Sequence, residues 1–403
     1  MLVGALTVMI VALSPVTVFS LEVIPSPVAL KSSRWFCILL LRPNIAALLM
    51  SPRRCCRFPA IFNFGASNSD TSGYAAAFIQ LKSPNGDTLF GMPAGRFCDG
   101  RLIVDFTTES LDLPFLSSYQ NSLAINFSHG SNFATASSTI RLLTANVVPY
   151  GHASPFYLPL QYLQFAQFKN RSQIIKRHGG IYASLLSRED TFSKALYTFD
   201  IGQNDLTQSL FFNMTIVQIL PAIPNIVNHF SNIIKNLYNF GARSFWVYNT
   251  RPLGYFPKIL TSFPLAEKDF IICAKPYNLL AQHFNAELKN ALARLRIEFP
   301  LATIVYVDLY STLYSLYTHP TKNGKYNYSE EAICGGNISV NGKSITVGSC
   351  KDPSVRVSWD GVHFTEAANK FAFDLVSTRD FSDPPIPLKL ACHPRISNKR
   401  LLQ

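Results

Sequence analysis

An alternation of two kinds of segment constrains this chain most. From about residue 58, short apolar runs take turns with longer runs whose apolar residues recur every three or four positions. The short runs are Ala60 to Phe64 before Gly65, Ala195 to Ile201 before Gly202, Ser244 to Tyr248, and Thr303 to Val307, with Ser122 to Asn126 as a further candidate. Apolar residues on both alternating faces mark strands that are covered on both sides. The long runs read as helices. One carries Ile226, Phe230, Ile233, Ile234 and Leu237 within Ile226 to Phe240 and stops at Gly241; another carries Leu280, Phe284, Leu288, Leu292 and Leu295 within Tyr277 to Ile297. Strands alternating with helices predict right-handed crossovers and a doubly wound α/β layer around a mostly parallel sheet. Residues 319–350, rich in Gly, Asn and Ser, read as a loop or insertion.

Composition removes other classes. Apolar residues make up 48% of the 403 and charged residues 15%, which excludes a chain disordered throughout. The formal net charge of +12 raises a nucleic acid or an anionic membrane as partner. Its placement argues otherwise. Residues 1–57 carry +5, residues 391–403 carry +3, and only +4 remains for the 333 residues between. With no zinc, RNP-like or helix-turn-helix pattern, no nucleic-acid partner is expected.

The amino terminus suggests a compartment. Leu2 to Phe19 is almost wholly apolar or small and ends at a small-residue site, Ser20, so residues 1–20 read as a secretory signal peptide, with a signal anchor as the alternative. The next apolar stretch, Trp35 to Met50, is broken by Arg42 and Pro43, and neither half approaches the roughly 20 residues of a span. No stable membrane span is therefore expected. Residues 21–57 read as an atypical, poorly ordered linker or insert, 58–390 as one domain, and 391–403 as a basic tail. Asn126, Asn170, Asn213, Asn327 and Asn337 each fit the glycosylation acceptor pattern N-x-[ST]. Eight cysteines without a C-x-x-C are expected to pair in part in an oxidising compartment, Cys334 with Cys350 being the first pair to test.

In a doubly wound sheet, function gathers at the carboxyl ends of strands. Three such places hold reactive residues. After the first strand comes Gly65 to Asp70 (GASNSD), where a serine on a tight turn is placed to act as a nucleophile. After the second comes Asp200 to Asp205 (DIGQND), where an asparagine amide can donate to a developing oxyanion. Near the C-terminus, Asp360 and His363 stand three apart, so the carboxylate can orient the imidazole and the imidazole can take a proton from the serine. Each piece alone is commonplace: a serine after a strand is more often a helix cap, and an asparagine there is usually turn chemistry. Their order along the chain is what distinguishes them.

In that order the chain resembles the plant GDSL esterase/lipase family, a branch of the SGNH hydrolases, and within it the early-nodulin-like and latex-esterase group. The resemblance rests on Phe58 to Thr71 (FPAIFNFGASNSDT), Pro93 to Leu102 (PAGRFCDGRL), Gly130 to Ile140 (GSNFATASSTI), Asp200 to Asp205, and Val357 to Asn369 (VSWDGVHFTEAAN). It implies a flavodoxin-like three-layer α/β/α sandwich. It implies Ser67 as nucleophile, His363 as base and Asp360 as its orienting partner. The oxyanion donors would be the backbone N–H of Ser67, the backbone N–H of Ser137 and the side-chain amide of Asn204. It further implies hydrolysis of small-molecule or lipid carboxylic esters through an acyl-enzyme, without metal or cofactor, in the apoplast, cell wall or vacuole. The chain departs from the family at Ala66, where an aspartate is usual, and at Ser137, where a glycine is usual. It also lacks a Cys-Cys-Gly segment ahead of Tyr326 to Tyr328. These departures motivate an alternative reading, a secreted glycoprotein with an impaired site and a binding or storage role.

Overall fold

The computed structural model describes residues 56–392, apart from 122, 124–125, 144–153, 271–272, 320–335, 341–342 and 348–349. The signal-like segment, most of the 21–57 insert and most of the basic tail lie outside the described residues, as do Asn327 and Cys334.

Eight strands are described: β1 (Ile61–Gly65), β2 (Gly130–Asn132), β3 (Leu196–Asp200), β4 (Ser244–Tyr248), β5 (Thr303–Val307), β6 (Gly336–Val340), β7 (Lys343–Val347) and β8 (Ser382–Asp383). Six form one sheet in the order β2-β1-β3-β4-β5-β8, parallel except for β8, which pairs antiparallel with β5. The chain thus builds outward from β1 to one side, then crosses back to β3 on the other. In open α/β sheets such a reversal, here at the carboxyl ends of β1 and β3, is where ligands bind.

The main helices are α1 (Ile103–Ser110), α2 (Leu158–His178), α3 (Gln203–Phe211), α4 (Ile223–Asn239), α5 (Lys275–Glu298), α6 (Leu309–Thr318) and α7 (Glu366–Val376). The alternation of side chains along β1 sorts them into layers. Phe62 and Phe64 pack against Phe165 of α2 at ring distances of 5.1 and 5.8 Å, and Phe199 of β3 meets Phe230 of α4 at 5.4 Å. Helix α4 also packs on α2 and α5. Asn63 and Thr198 point the other way, toward Ile103, Val104 and Thr107 of α1, which packs against α7 and through it α6. The result is a three-layer α/β/α fold. Each fully buried phenylalanine adds roughly 1.5–3 kcal/mol of burial, and edge-to-face ring pairs add to that.

Four of the five expected strands coincide with β1, β3, β4 and β5 to within one residue at each end. Residues 122–126 lie largely outside the described residues, and the place beside β1 is taken by β2. Both expected helices form. Helix α4 begins three residues earlier than its periodicity marked, with Pro224 in its first turn, and α5 likewise carries Pro276 at its start. Gly241 follows α4 with φ +107°, a stop that a side chain would strain. The stretch read as a loop at 319–350 is corrected in part: β6 and β7 pair there as an antiparallel hairpin.

A disulfide joins Cys56 to Cys392 across 336 residues of sequence, just outside the 58–390 limits, and Cys56 N–H also donates to the Lys389 carbonyl. Cys350 is disulfide-bonded as well, while Cys98 and Cys273 are buried free thiols. Among the described residues, no helix is long and apolar enough to cross a membrane.

Candidate active site

Strand β1 ends in a turn that only a small residue permits. A side chain at Gly65 would collide with Ser69 Oγ and with the Asp200 carbonyl. Gly65 donates to Gln161 Oε1 (2.9 Å) and accepts from Gln161 Nε2 (2.8 Å), so α2 holds both its backbone groups. Ala66 N–H donates to the Asp200 carbonyl, extending the pairing of β1 with β3 by one residue. Ser67 then opens a 3-10 turn, Ser67–Ser69, closed by Ser69 N–H on the Ala66 carbonyl. Ser67 and Ala66 are both buried.

Asp70 follows, fully buried. Its carboxylate accepts the backbone N–H groups of Ser72, Gly73 and Tyr74 on its own loop and of Ala136 on the next. Burial pushes its pKa up and these four N–H groups pull it back. The serine turn and the 134–140 loop are therefore one unit.

That second loop carries Ser137 in the left-handed region at φ +65°. A serine there costs about 1 kcal/mol against glycine, and the strain is held by neighbours. The first turns of α3 supply the hold. Gly202 (φ +112°) turns the chain out of β3, Asn204 Nδ2 donates to the Ser138 carbonyl (2.9 Å), and Gln208 Nε2 donates to the Ser137 carbonyl (3.0 Å). Asn204 thus spends one amide hydrogen on the loop and keeps a second to donate. Asp205 accepts Ile140 N–H at 2.8 Å, and burial pushes its carboxyl up to about 7 against those backbone donors.

Asp360 and His363 lie on the loop before α7. His363 Nδ1 bonds Asp360 Oδ2 at 2.5 Å, and Asp360 Oδ1 accepts the N–H groups of Val362 (3.0 Å) and His363 (2.8 Å). Burial alone would raise the Asp360 pKa; the imidazole and the two N–H groups outweigh it and lower it. With a proton on Nδ1 committed to Asp360, the imidazole presents Nε2 as acceptor.

Two links carry this loop to the serine turn. Arg251 donates to both Asp200 oxygens at 2.7 Å, and Asp200 is the register partner of Gly65. The same guanidinium lies 5.6 Å from the Phe364 ring, next to His363. On the other flank, the Phe97 ring lies tilted against His363 at 5.1 Å and meets Tyr74 edge-on at 5.5 Å. Glu366 clamps the Phe97 segment by accepting from Arg101 N and its guanidinium, while Asp99 accepts Glu366 N–H. Ser67, Ser137, Asn204, Asp360 and His363 thus belong to one interlocked set of loops at the carboxyl edge of the sheet. Asn126, Asn170 and Asn213 are exposed, and the side chain of Asn337 is not described.

Sequence reasoning quoted Asp70 and Asp205 without giving them roles, and passed over Gln161 and Arg251. The signal for Asp70 was an aspartate two and three residues ahead of Ser72 and Gly73, a pattern that caps a turn or helix start. Gln161 and Arg251 carry no such pattern.

An α/β/α sandwich with a serine turn and an asparagine turn side by side at the strand ends, and an Asp-His loop tied to them, defines a class of hydrolases. The GDSL-like lipase/acylhydrolase model matches residues 61–376, so the chain belongs to that family and is a carboxylic ester hydrolase. An esterase from Hevea brasiliensis is 54% identical, covering 84% of this chain and 90% of its own length. GDSL esterase/lipase ENOD8 from Medicago truncatula is 51% identical, covering 84% and 91%. Alpha-L-fucosidase 3 from Arabidopsis thaliana is 48% identical, covering 80% and 91%.

Asp70→Asn keeps the shape but replaces an acceptor oxygen with a donor facing backbone N–H groups. It is expected to lower stability by about 2 kcal/mol or more. It should also lower kcat by about tenfold or more with KM nearly unchanged, because both loops lose their tie. Urea melts and ester kinetics on one preparation check both. Asp205 gives a pH signature. Between about pH 4 and 7 the unfolded carboxyl has released its proton while the folded one keeps it, so folding takes up a proton and stability falls as pH rises. Asp205→Asn removes that slope. Its Tm should improve relative to the unsubstituted protein from pH 5 to pH 8, as thermal melts across that range would read.

Proposed function

We propose that the chain is a secreted serine esterase that cleaves small-molecule or lipid carboxylic esters through an acyl-enzyme on Ser67. The observation that carries this reading is the Asp360–His363 hydrogen bond, on a loop tied through Arg251 to the strand edge from which Ser67 projects. His363 Nε2 takes the proton of Ser67 as Oγ attacks the carbonyl carbon. The backbone N–H groups of Ser67 and Ser137 and the amide of Asn204 receive the negative oxygen. The intermediate collapses, His363 returns the proton to the departing alcohol, and water repeats the sequence to free the acid. Ionised Asp360 stabilises the imidazolium in both halves.

A glycosidase reading, prompted by the fucosidase relative, finds less support. Glycoside hydrolysis commonly uses two carboxylates as acid and base or nucleophile across the bond. Here Asp70 is held by four backbone N–H groups, Asp200 by Arg251, Asp205 by Ile140 and Asp360 by His363. Secretion is supported by the signal-like segment, by exposed acceptors at Asn126, Asn170 and Asn213, and by the Cys56–Cys392 bridge.

Hydrolysis of short p-nitrophenyl esters is expected to fall by about a thousandfold or more in Ser67→Ala. Equal rates from the two proteins would overturn the nucleophile assignment.

A further inference from the structure

A row of aromatic rings runs outward from the histidine. Phe97 lies 5.1 Å from His363, Tyr74 lies 5.5 Å from Phe97, Phe78 lies 5.2 Å from Tyr74, and Phe156 lies 5.8 Å from Phe78. Exposure rises from His363 to Phe78, and Phe156 beyond it is half-buried. The His363 side chain is 12% exposed, Phe97 and Tyr74 are half-buried, and Phe78 and its neighbour Ile79 stand 51% and 61% exposed. Continuous apolar surface opening from a part-buried reactive group into solvent is unfavourable unless something covers it. The inner end is rigid. Tyr74 N–H is held by Asp70, and Phe97 follows Arg96, whose guanidinium makes a buried two-point bond to Asp105 at 2.8 and 2.7 Å.

We propose that this row is the leaving-group subsite, which takes the apolar or aromatic alcohol portion of the ester; this rests on the roles proposed above for Ser67 and His363. Chemistry chooses the alcohol over the acyl side. As the Ser67 Oγ–carbon bond forms, the carbon–oxygen bond to the alcohol breaks, and that oxygen takes its proton from His363. The alcohol must therefore lie against the imidazole, and the apolar surface beginning at the imidazole is Phe97. The acyl carbon stays bonded to Ser67, with its oxygen toward Ser137 and Asn204. Preferred substrates are esters of aromatic or medium-length aliphatic alcohols.

The test uses two ester series followed by pH-stat. One fixes the acyl group (ethyl, hexyl and benzyl acetates) and the other fixes the alcohol (ethyl acetate, butanoate and hexanoate). Phe78→Ala is exposed and outside the catalytic groups, and Phe156→Ala serves as a second variant, with thermal melts to confirm folding. The unsubstituted protein should favour benzyl and hexyl acetate over ethyl acetate. Phe78→Ala should raise KM for benzyl acetate about tenfold, equivalent to about 1.4 kcal/mol, with kcat within about twofold and ethyl hexanoate unaffected. Loss confined to the acyl series, equal loss in both, or no change in either variant would overturn the subsite while leaving the esterase intact. Failure of the unsubstituted protein to hydrolyse either series would overturn the esterase reading and the subsite with it.

Discussion

The carboxylate of Asp70 accepts N–H groups from Ser72, Gly73 and Tyr74 on one side and from Ala136 on the other. The convergence of the serine turn with the Ser137 loop depends on this contact. The serine turn and the loop bearing Ser137 come from separate stretches of chain, and backbone N–H groups on a loop have no reason of their own to converge. A buried carboxylate with four donors gives them one, because leaving any of those groups unpaired out of water costs about 1–3 kcal/mol. The aspartate that the family usually carries at position 66 is absent, yet the turn is still held by Gln161 on Gly65, by Asp200 on Ala66 and by Asp70 beyond Ser67.

The sheet order puts these loops together before any side chain acts. Strands β1 and β3 are parallel neighbours, with Gly65 in register with Asp200, so the serine turn and the start of α3 leave the sheet side by side. Helix α3 then fastens the Ser137 loop through Asn204, Asp205 and Gln208. The Asp360–His363 loop comes from far along the chain and is drawn in by Arg251 below Phe364 and by Phe97 beside the imidazole. The ion pair of Arg251 with Asp200 is nearly fully buried, a setting in which removing either partner is costly because it strands the other charge.

Much of this was legible in the residues. Strands β1, β3, β4 and β5 are apolar on both faces, and α4 and α5 have clear periodicity, so the layers could be anticipated. Ser67, Asn204, Asp360 and His363 stood out because their chemistry is particular and their order along the chain is distinctive. Strand β2 escaped because it is Gly-Ser-Asn, held by Asn132 bonding Asn63, Ser69 and Thr71 rather than by an apolar pattern. The β6–β7 hairpin was overlooked rather than hidden: Ile338 and Val340, then Ile345 and Val347, alternate with polar residues on either side of Asn341-Gly342, a hairpin pattern that the Gly, Asn and Ser content of the wider stretch obscured. Asp70 lay in view inside a quoted motif, but one of its partners is the backbone of Ala136, which has no letter in the sequence. The left-handed conformation of Ser137 likewise belongs to the loop and not to the residue type.

The central claim is that this frame presents Ser67, alone among the described serines, as an activated nucleophile. A fluorophosphonate probe reacts with such a hydroxyl and leaves a permanent mark. Labelling the purified protein, digesting it and mapping the modified peptide by mass spectrometry should place a single label on Ser67. A label on another serine, or none on the folded protein, would contradict the account.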